Sequence, residues 1–363
     1  MIKLNAGAWR PATGQTRAAR LASANDLVTR TLAQHGLTAG PVAGSPAGDG
    51  NDTLTSALSG VMARLHLEGR PATPPPDLPD GAQYAEDSFT CAAGTRRYRT
   101  YVPASAQEGI TGLVVMLHGC TQTPEDFAAG TGMNALAEQH RFVVVYPQQS
   151  RGDNAQSCWN WFSRGDQVRD RGEPSILAGL TREVIARHAI PGDKVFVAGL
   201  SAGAAMAVIL GGAYPEVFKA VGAHSGLPAG AAKDVPSAFS AMAGREAGSA
   251  PRTAPTRTIV FHGDADATVH PSNGAGIVRQ ALEGGPAQSL QTETAGAAGG
   301  RSYQLSTTYD DAGTEAVEHW VVEGLGHAWS GGQSAGSYTD PKGPDASSEM
   351  VRFFFNPSTP PTG

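Results

Sequence analysis

The sequence predicts an α/β fold in which a mostly parallel central sheet carries helices on both faces. From residue 98 onward, short apolar runs rich in β-branched residues recur and helical patterns separate them. The central run also leads through a tight turn directly into a helix. Strands buried on both faces read as nearly uninterrupted apolar runs, because helices cover both sides of a parallel sheet. We predict strands at residues 98–102, 113–117, 142–146, 194–198, 220–223, 258–261 and 317–322.

Helical patterns fill the intervals between these strands. The predicted helices are at residues 126–140, 174–188, 202–212, 273–282 and 345–355. Pro174 lies in the first turn of its helix, where the missing amide donor costs nothing because that donor would have no partner. Residues 302–309 and 317–322 flank a turn at 310–313, and we expect them to pair as an antiparallel hairpin at the edge of the sheet.

The first 90 residues differ from the rest. Apolar side chains recur at helical spacing in residues 21–32 and 54–65, and a proline-rich stretch follows at 71–79. We predict a helical, partly flexible extension with Pro/Gly-rich joints, and the alternative is an anchor or partner-binding helix. The predicted organisation is this extension at 1–90, an α/β domain at 91–356 and a disordered tail at 357–363.

Composition excludes several classes of protein. Charged residues make up 17% of the 363 residues and the formal net charge is −6, so no basic face invites nucleic acid. No apolar run reaches the roughly 18 residues that a transmembrane helix needs. The first residues lack the apolar core of a signal peptide, which leaves a cytoplasmic location open. Three cysteines argue against a disulfide-dense scaffold but permit one bridge.

The serine at the centre of the chain is the candidate nucleophile. Ser201 lies in Gly199-Leu-Ser-Ala-Gly203, between an apolar run and an Ala-rich helical pattern. This strand–turn–helix context raises the hydroxyl above the sheet and points the helix amides at a reacting carbonyl. A structural Gly-Ser turn is the alternative, since the pentapeptide alone can occur by chance in a chain with 46 glycines.

A serine hydroxyl needs a base, and the base needs a carboxylate that orients it. With such a nucleophile the acid and then the histidine follow in chain order, which leaves His270, His319 and His327. His319 lies within a predicted strand and His270 follows the candidate acids too closely. His327 lies in a glycine-flanked loop just after the last strand, so it is the predicted base. The acid belongs in the loop after residue 261, where the pattern leaves Asp264 and Asp266 open.

Two backbone amides are predicted to bind the oxyanion. One belongs to Ala202, the residue after the nucleophile, and the other to Cys120 in the loop after residues 113–117. His118 is interpreted as a residue that shapes this loop rather than as a second base. Trp159, Trp161 and Trp329 lie at the ends of motifs and either form an apolar crevice that binds substrate or fill the interior as plugs.

Five motifs together support a resemblance over about residues 90–355. They are Leu117-His-Gly-Cys-Thr-Gln122, Cys158-Trp-Asn-Trp161, Gly199-Leu-Ser-Ala-Gly203, His262-Gly-Asp-Ala-Asp-Ala-Thr-Val269 and Gly326-His-Ala-Trp-Ser-Gly331. In this order they resemble the short-chain polyhydroxybutyrate depolymerase esterases, which neighbour the feruloyl esterases within the α/β-hydrolases. The resemblance implies an α/β-hydrolase fold and a serine esterase that works without metal or cofactor.

The resemblance also assigns roles to particular residues. It implies Asp266 as the acid, beside Ser201 and His327, and a disulfide that joins Cys120 to Cys158. Family members are typically secreted, and here no signal peptide is visible from Met1, so the location stays uncertain.

The leading interpretation is a serine carboxylesterase that cleaves polyhydroxybutyrate-type polyesters or short acyl esters. A feruloyl or acetylxylan esterase is the alternative, and a hydrolase-fold binding protein without activity is a third hypothesis. No pattern in the sequence indicates the oligomeric state.

Overall fold

The computed structural model describes residues 78–245, 256–283 and 288–357. The predicted helices of the N-terminal extension lie outside these residues, as do nearly all of the proline-rich stretch and of the C-terminal tail. Among the described residues, no helix is long and apolar enough to cross a membrane.

The described residues form one large sheet and a short two-stranded ribbon. The strands are β1 Gln83–Cys91, β2 Gly94–Val102, β3 Gly112–Leu117, β4 Phe142–Pro147, β5 Val195–Leu200, β6 Ala220–His224, β7 Arg257–Gly263, β8 Gln288–Ala298, β9 Arg301–Asp310, β10 Glu315–Val322, β11 Trp329–Ser330 and β12 Thr339–Asp340. The large sheet has the order β1-β2-β4-β3-β5-β6-β7-β10-β9-β8. Its six central strands, from β4 to β10, are parallel, and antiparallel strands extend it on both sides.

Helices cover both faces of this sheet. They are α1 Pro124–Thr131, α2 Met133–His140, α3 Gly172–His188, α4 Ala202–Ala213, α5 Val235–Met242, α6 Ser272–Glu283 and α7 Ala346–Phe355. Alternate residues of β3 enter two separate cores: Val115 packs with α3 and α4, and Val114 packs with α1, α2 and α7. Side chains alternate across a strand, so a strand that feeds two cores must be covered twice. The predicted α/β class and mostly parallel sheet are confirmed.

The predicted antiparallel pairing of the hairpin is confirmed, since β9 and β10 pair around residues 310–313. Its predicted place at the edge of the sheet is wrong, because β8 pairs with the other side of β9 and forms that edge. The predicted boundary at residue 90 is wrong, because β1 begins at Gln83 and pairs with β2 along its whole length. The predicted helix at 126–140 is two helices, α1 and α2. Gly132 separates them with φ 65°, and a Cβ at this position would lie 2.5 Å from Gln333 Nε2.

Candidate active site

Ser201 lies on a sharp turn between β5 and α4. Its backbone has φ 57° and ψ −119°, a strained conformation for a residue with a side chain. The flanking glycines allow this turn because they have no Cβ, so neighbouring backbone can approach them closely. A Cβ on Gly203 would lie 2.0 Å from Leu117 O, and one on Gly199 would lie 2.5 Å from the carbonyl carbon of Gly203. The motif therefore packs the serine turn directly against the end of β3.

Asp266 and His327 are in contact. Nδ1 of His327 lies 2.8 Å from Oδ2 of Asp266, whose side chain is fully buried. The backbone amides of Thr268 and Val269 donate to the other carboxylate oxygen, each at 2.9 Å. Burial alone would raise the pKa of Asp266, but the hydrogen bond and charge of His327, followed by the hydrogen bond from the Val269 amide, lower it to about 2. The carboxylate is thus held ionised against the imidazole.

The other candidate acid serves a different turn. Asp264 is exposed, and its Oδ1 accepts a hydrogen bond of 2.7 Å from the amide of Gly324. It therefore ties the loop after β7 to the turn after β10. Of the other candidate bases, His270 bonds Ser272 and His319 lies within β10.

His224, at the end of β6, connects the nucleophile turn to the loop of His327. Its carbonyl accepts a hydrogen bond of 2.9 Å from the Ser201 amide. Its imidazole Nε2 accepts one of 3.0 Å from the amide of Ser330, three residues after His327. Because β5, β6, β7 and β10 are parallel neighbours, all their carboxyl ends meet at one edge of the sheet. Ser201, Asp266 and His327 follow three of these ends.

Sequence reasoning missed His224. The ring is fully buried and stacks between Phe261 and Trp329, with centroid distances of 5.8 and 5.1 Å. Burial, followed by the nearby imidazoles of His262 and His327, lowers its pKa to about 3. A neutral ring with a bonded Nε2 carries its proton on Nδ1, which lies 3.2 Å from Ser225 Oγ. The available signal was its position directly after the predicted strand at 220–223, where residues of the site are expected in a parallel sheet.

His262 is a second buried histidine at this site that the sequence did not single out. Its Nε2 lies 2.9 Å from Val269 O and 3.5 Å from Asp266 Oδ2. Burial lowers its pKa. The ring therefore supports the loop of Asp266 as a neutral group.

Several backbone amides near the serine turn have no hydrogen-bond acceptor within the described part of the chain, and two of them are the predicted oxyanion donors. These two belong to Cys120, in the loop after β3, and to Ala202, the first residue of α4. The first amides of a helix have no partner in the helix itself, and they are suited to hold negative charge. Cys120 is joined to Cys158 by a disulfide, as the resemblance implied, and Cys91 is free.

His118 is buried and makes two hydrogen bonds that shape the loop of Cys120. Its Nδ1 lies 2.8 Å from Gly119 O, and its Nε2 accepts from the Gln149 amide at 3.1 Å. Burial lowers its pKa to about 4, so the ring is neutral at physiological pH.

The three tryptophans are buried. For Trp159 and Trp329 this burial rejects the alternative in which they bind substrate and supports the one in which they fill the interior. Trp159 is 0% exposed and donates to His118 O at 3.0 Å, while Trp329 is 1% exposed and donates to Ser347 Oγ at 3.0 Å. An indole with its N–H bonded and no free surface is a packed plug. Trp161 packs in the same core as Trp159 but keeps 5% of its surface exposed. A contact between Trp161 and substrate therefore stays a prediction.

Comparison with known proteins places this architecture among esterases. Residues 96–295, more than half of the chain, match the family described as esterase PHB depolymerase. The chain is 34% identical over 230 residues to poly(3-hydroxyalkanoate) depolymerase C of Paucimonas lemoignei, which covers 59% of this chain and 54% of that protein. It is 30% identical over 257 residues to poly(3-hydroxybutyrate) depolymerase of Ralstonia pickettii, covering 64% and 51% respectively.

Acetylxylan esterases are similar as well. Acetylxylan esterase A of Talaromyces purpureogenus is 30% identical over 206 residues, which cover 50% of this chain and 51% of that protein. The chain therefore spans about half the length of these curated relatives. The solved acetyl xylan esterase of Aspergillus awamori aligns with a TM-score of 0.54 at 22% identity, covering 68% of this chain and 93% of that one. This likeness confirms the α/β-hydrolase fold. Because residues 96–295 match the model of this family, the chain belongs to the esterase PHB depolymerase family.

Proposed function

We propose that this protein is a serine carboxylic-ester hydrolase that cleaves polyhydroxybutyrate-type polyesters or their oligomers through an acyl-enzyme. The observation that carries the proposal is the Asp266–His327 hydrogen bond of 2.8 Å at the sheet edge where Ser201 stands. A carboxylate on Nδ1 selects the tautomer whose Nε2 can accept a proton from a serine. The unpartnered amides of Cys120 and Ala202 add a place for the oxyanion.

In the acylation step, His327 Nε2 takes the proton of Ser201 as Oγ forms a bond to the ester carbonyl carbon. The carbonyl oxygen becomes an oxyanion and accepts hydrogen bonds from the amides of Cys120 and Ala202. The bond from the carbonyl carbon to the alcohol oxygen then breaks, and the imidazolium returns its proton to the leaving alkoxide. Asp266 stays ionised throughout, in agreement with its low pKa, and stabilises the imidazolium.

In the deacylation step, a water molecule attacks the carbonyl carbon of the acyl group bound to Ser201 Oγ, while His327 Nε2 accepts one proton from that water. The second tetrahedral intermediate uses the same two amides. Its collapse breaks the bond to Ser201 Oγ, which recovers the proton from the imidazolium. The carboxylic acid leaves and the enzyme returns to its starting state, so the cycle needs only the ester and water.

The names of the relatives support the substrate class. Two of them are depolymerases of polyhydroxyalkanoates, which are polyesters, and the acetylxylan esterases support a second candidate, the removal of acyl groups from xylan. The depolymerase function is favoured because the relative with the highest identity of these three, at 34%, is a polyhydroxyalkanoate depolymerase. A feruloyl esterase activity belongs to the same second candidate.

A variant at the nucleophile tests the proposal. Ser201→Ala should lower ester hydrolysis by at least about 10⁴-fold, because no other group can form the acyl-enzyme. Ser302→Ala, an exposed serine on β9, is the control and should behave as the wild type. Clearing of amorphous polyhydroxybutyrate is measured beside hydrolysis of methyl ferulate and acetylated xylan. Wild-type turnover in Ser201→Ala would reject the mechanism, and activity on acetylated xylan alone would favour the second candidate.

A further inference from the structure

Tyr338 contacts both halves of the proposed catalytic machinery. Its ring lies edge-on to the imidazole of His327, with 6.5 Å between centroids and 78° between planes. Its hydroxyl lies 3.4 Å from Oγ1 of Thr121, the residue that follows Cys120. The side chain therefore extends from the proposed base to the proposed oxyanion loop, and it is only partly buried.

The backbone around Tyr338 is firmly held. The Ser337 amide donates to Asp126 Oδ1 at 2.9 Å, and the Ser337 hydroxyl bonds the other oxygen of that carboxylate. Gln122 donates to Ser337 O at 3.1 Å, and Trp329 donates to Tyr338 O at 2.7 Å. A tyrosine anchored on both sides is an ordered part of the site.

Tyr338 and Thr121 both have strained backbones, with φ 50° and 68° respectively. Residues other than glycine rarely adopt this left-handed region, and where they do they concentrate at ligand-binding and catalytic sites. In these conformations the two side chains contact each other through their hydroxyl groups.

The hydroxyl of Tyr338 has spare capacity for a hydrogen bond. Thr121 Oγ1 donates to Cys120 O at 2.5 Å, so in its contact with Tyr338 it is the acceptor. The resulting bond from the tyrosine hydroxyl is long, near the limit for a hydrogen bond of this type. An oxygen of a bound ligand could therefore replace Thr121 as the acceptor at little cost.

The chemistry of ester cleavage indicates which part of the substrate lies here. The leaving oxygen must be next to the imidazole that protonates it, and the oxyanion next to the amide of Cys120. A side chain that contacts the imidazole and the residue after Cys120 borders the alcohol part of the ester. In a polyester of hydroxy acids, that alcohol part carries a carbonyl group of its own.

We propose that Tyr338 is a specificity-determining residue whose hydroxyl donates a hydrogen bond to the carbonyl oxygen of the alcohol portion of the substrate. This inference rests on the proposed function and deepens it. It distinguishes esters of hydroxy acids, in which the leaving alcohol bears a carbonyl, from esters of simple alcohols, in which it does not.

Two esters with the same acyl group test the proposal: methyl 3-(butyryloxy)butanoate and sec-butyl butyrate. Both release butyrate, and their branched alcohols differ in the presence of the methoxycarbonyl group. Tyr338→Phe should lower the ratio of the two kcat/KM values about fivefold, which corresponds to the loss of one neutral hydrogen bond. Tyr303→Phe is the matched control, because this partly buried tyrosine packs on Trp320 in the sheet, and it should leave the ratio unchanged.

Thr121→Val separates a contact with substrate from an effect on the oxyanion loop. If Tyr338 acts on the substrate, loss of the threonine hydroxyl should change the ratio less than twofold. An unchanged ratio in Tyr338→Phe, or an equal change in Thr121→Val, would overturn the inference. Wild-type protein that releases butyrate from neither ester would instead count against the proposed function.

Discussion

Two buried carboxylates, Asp266 and Glu173, have pKa values that are shifted in opposite directions. Each residue is 4% exposed, yet the pKa of Asp266 is lowered to about 2 and that of Glu173 is raised to about 7. Both accept several hydrogen bonds. The difference shows that the charge of each group depends on the balance between burial, which raises the pKa, and hydrogen bonds and nearby positive charges, which lower it.

At Asp266 the hydrogen bonds and the nearby imidazole outweigh the effect of burial on the pKa. His327 and two backbone amides all direct protons at the carboxylate, and the imidazole can itself become a cation during the proposed reaction. A group that must stabilise a transient imidazolium has to be ionised beforehand. The loop after β7 is therefore built around a carboxylate that keeps its charge.

At Glu173 burial prevails, and the residue holds the structure together. Asn160 donates to it from its backbone and side-chain amides at 2.7 and 2.9 Å, and Gln149 donates at 2.5 Å. Gln149 also donates to Cys158 O at 2.9 Å, and Arg96 lies 3.4 Å from the carboxylate. Glu173 therefore supports the segment that the disulfide ties to the proposed oxyanion loop.

The largest expected effect tests the role of Asp266. Asp266→Asn should lower kcat about 10³–10⁴-fold, because an amide no longer selects the working tautomer or stabilises the imidazolium. Asp264→Asn is the matched control, since this neighbouring carboxylate bonds Gly324 instead, and it should lower kcat less than about tenfold. Steady-state kinetics on one soluble ester measure both. The reverse ranking would mean that the orienting acid is misassigned.

A smaller effect is expected from the disulfide. Cys158→Ala opens a loop of 38 residues and should lower the free energy of unfolding by about 3–4 kcal/mol. It should also lower kcat, by up to about 10²-fold, because the amide of Cys120 is no longer held in place.

Cys91→Ala removes the free thiol and is the control for both measurements. Urea unfolding and single-substrate kinetics provide the two numbers. A Cys158→Ala protein with wild-type kcat would show that the loop keeps its position without the bridge.

The smallest expected effect is a pH-dependent contribution of Glu173 to the free energy of unfolding. The pKa of Glu173 is raised from its ordinary value of 4.5 to about 7, so its contribution to stability is fully present below pH 4.5 and is lost as pH rises through 7. The free energy of unfolding of the wild type, minus that of Glu173→Gln, should therefore fall between pH 5 and 8. Urea titrations at several pH values measure this difference, and a difference that rises over the same range would refute the raised pKa.

The sequence predicted the centre of the sheet well and its edges poorly. The strands β3 to β7 are apolar along almost their whole length, so their burial is visible in the pattern. Polar residues occur throughout β1 and β8, which lie at the two edges, and no apolar run marked them. The break between α1 and α2 is at Gly132, whose left-handed conformation ends α1, and the helical spacing on both sides of this glycine concealed it.

For the candidate site, chain order and the family resemblance identified residues that the structure brings together. The Asp266–His327 contact and the Cys120–Cys158 bridge are both present. The same reasoning missed His224, since a histidine at the end of an apolar strand looks the same whether it is exposed or bonded on both nitrogens. It also left the tryptophans open, because only tertiary packing distinguishes a plug from a crevice wall.

Ser201 is the proposed nucleophile, and covalent labelling shows directly which serine reacts. The native protein is treated with diisopropyl fluorophosphate, and the modified peptide is mapped by mass spectrometry. We predict one adduct, on Ser201, formed much more slowly in Asp266→Asn because the imidazole no longer activates the hydroxyl. An adduct on another serine, or an unmodified Ser201 in fully active protein, would contradict this prediction.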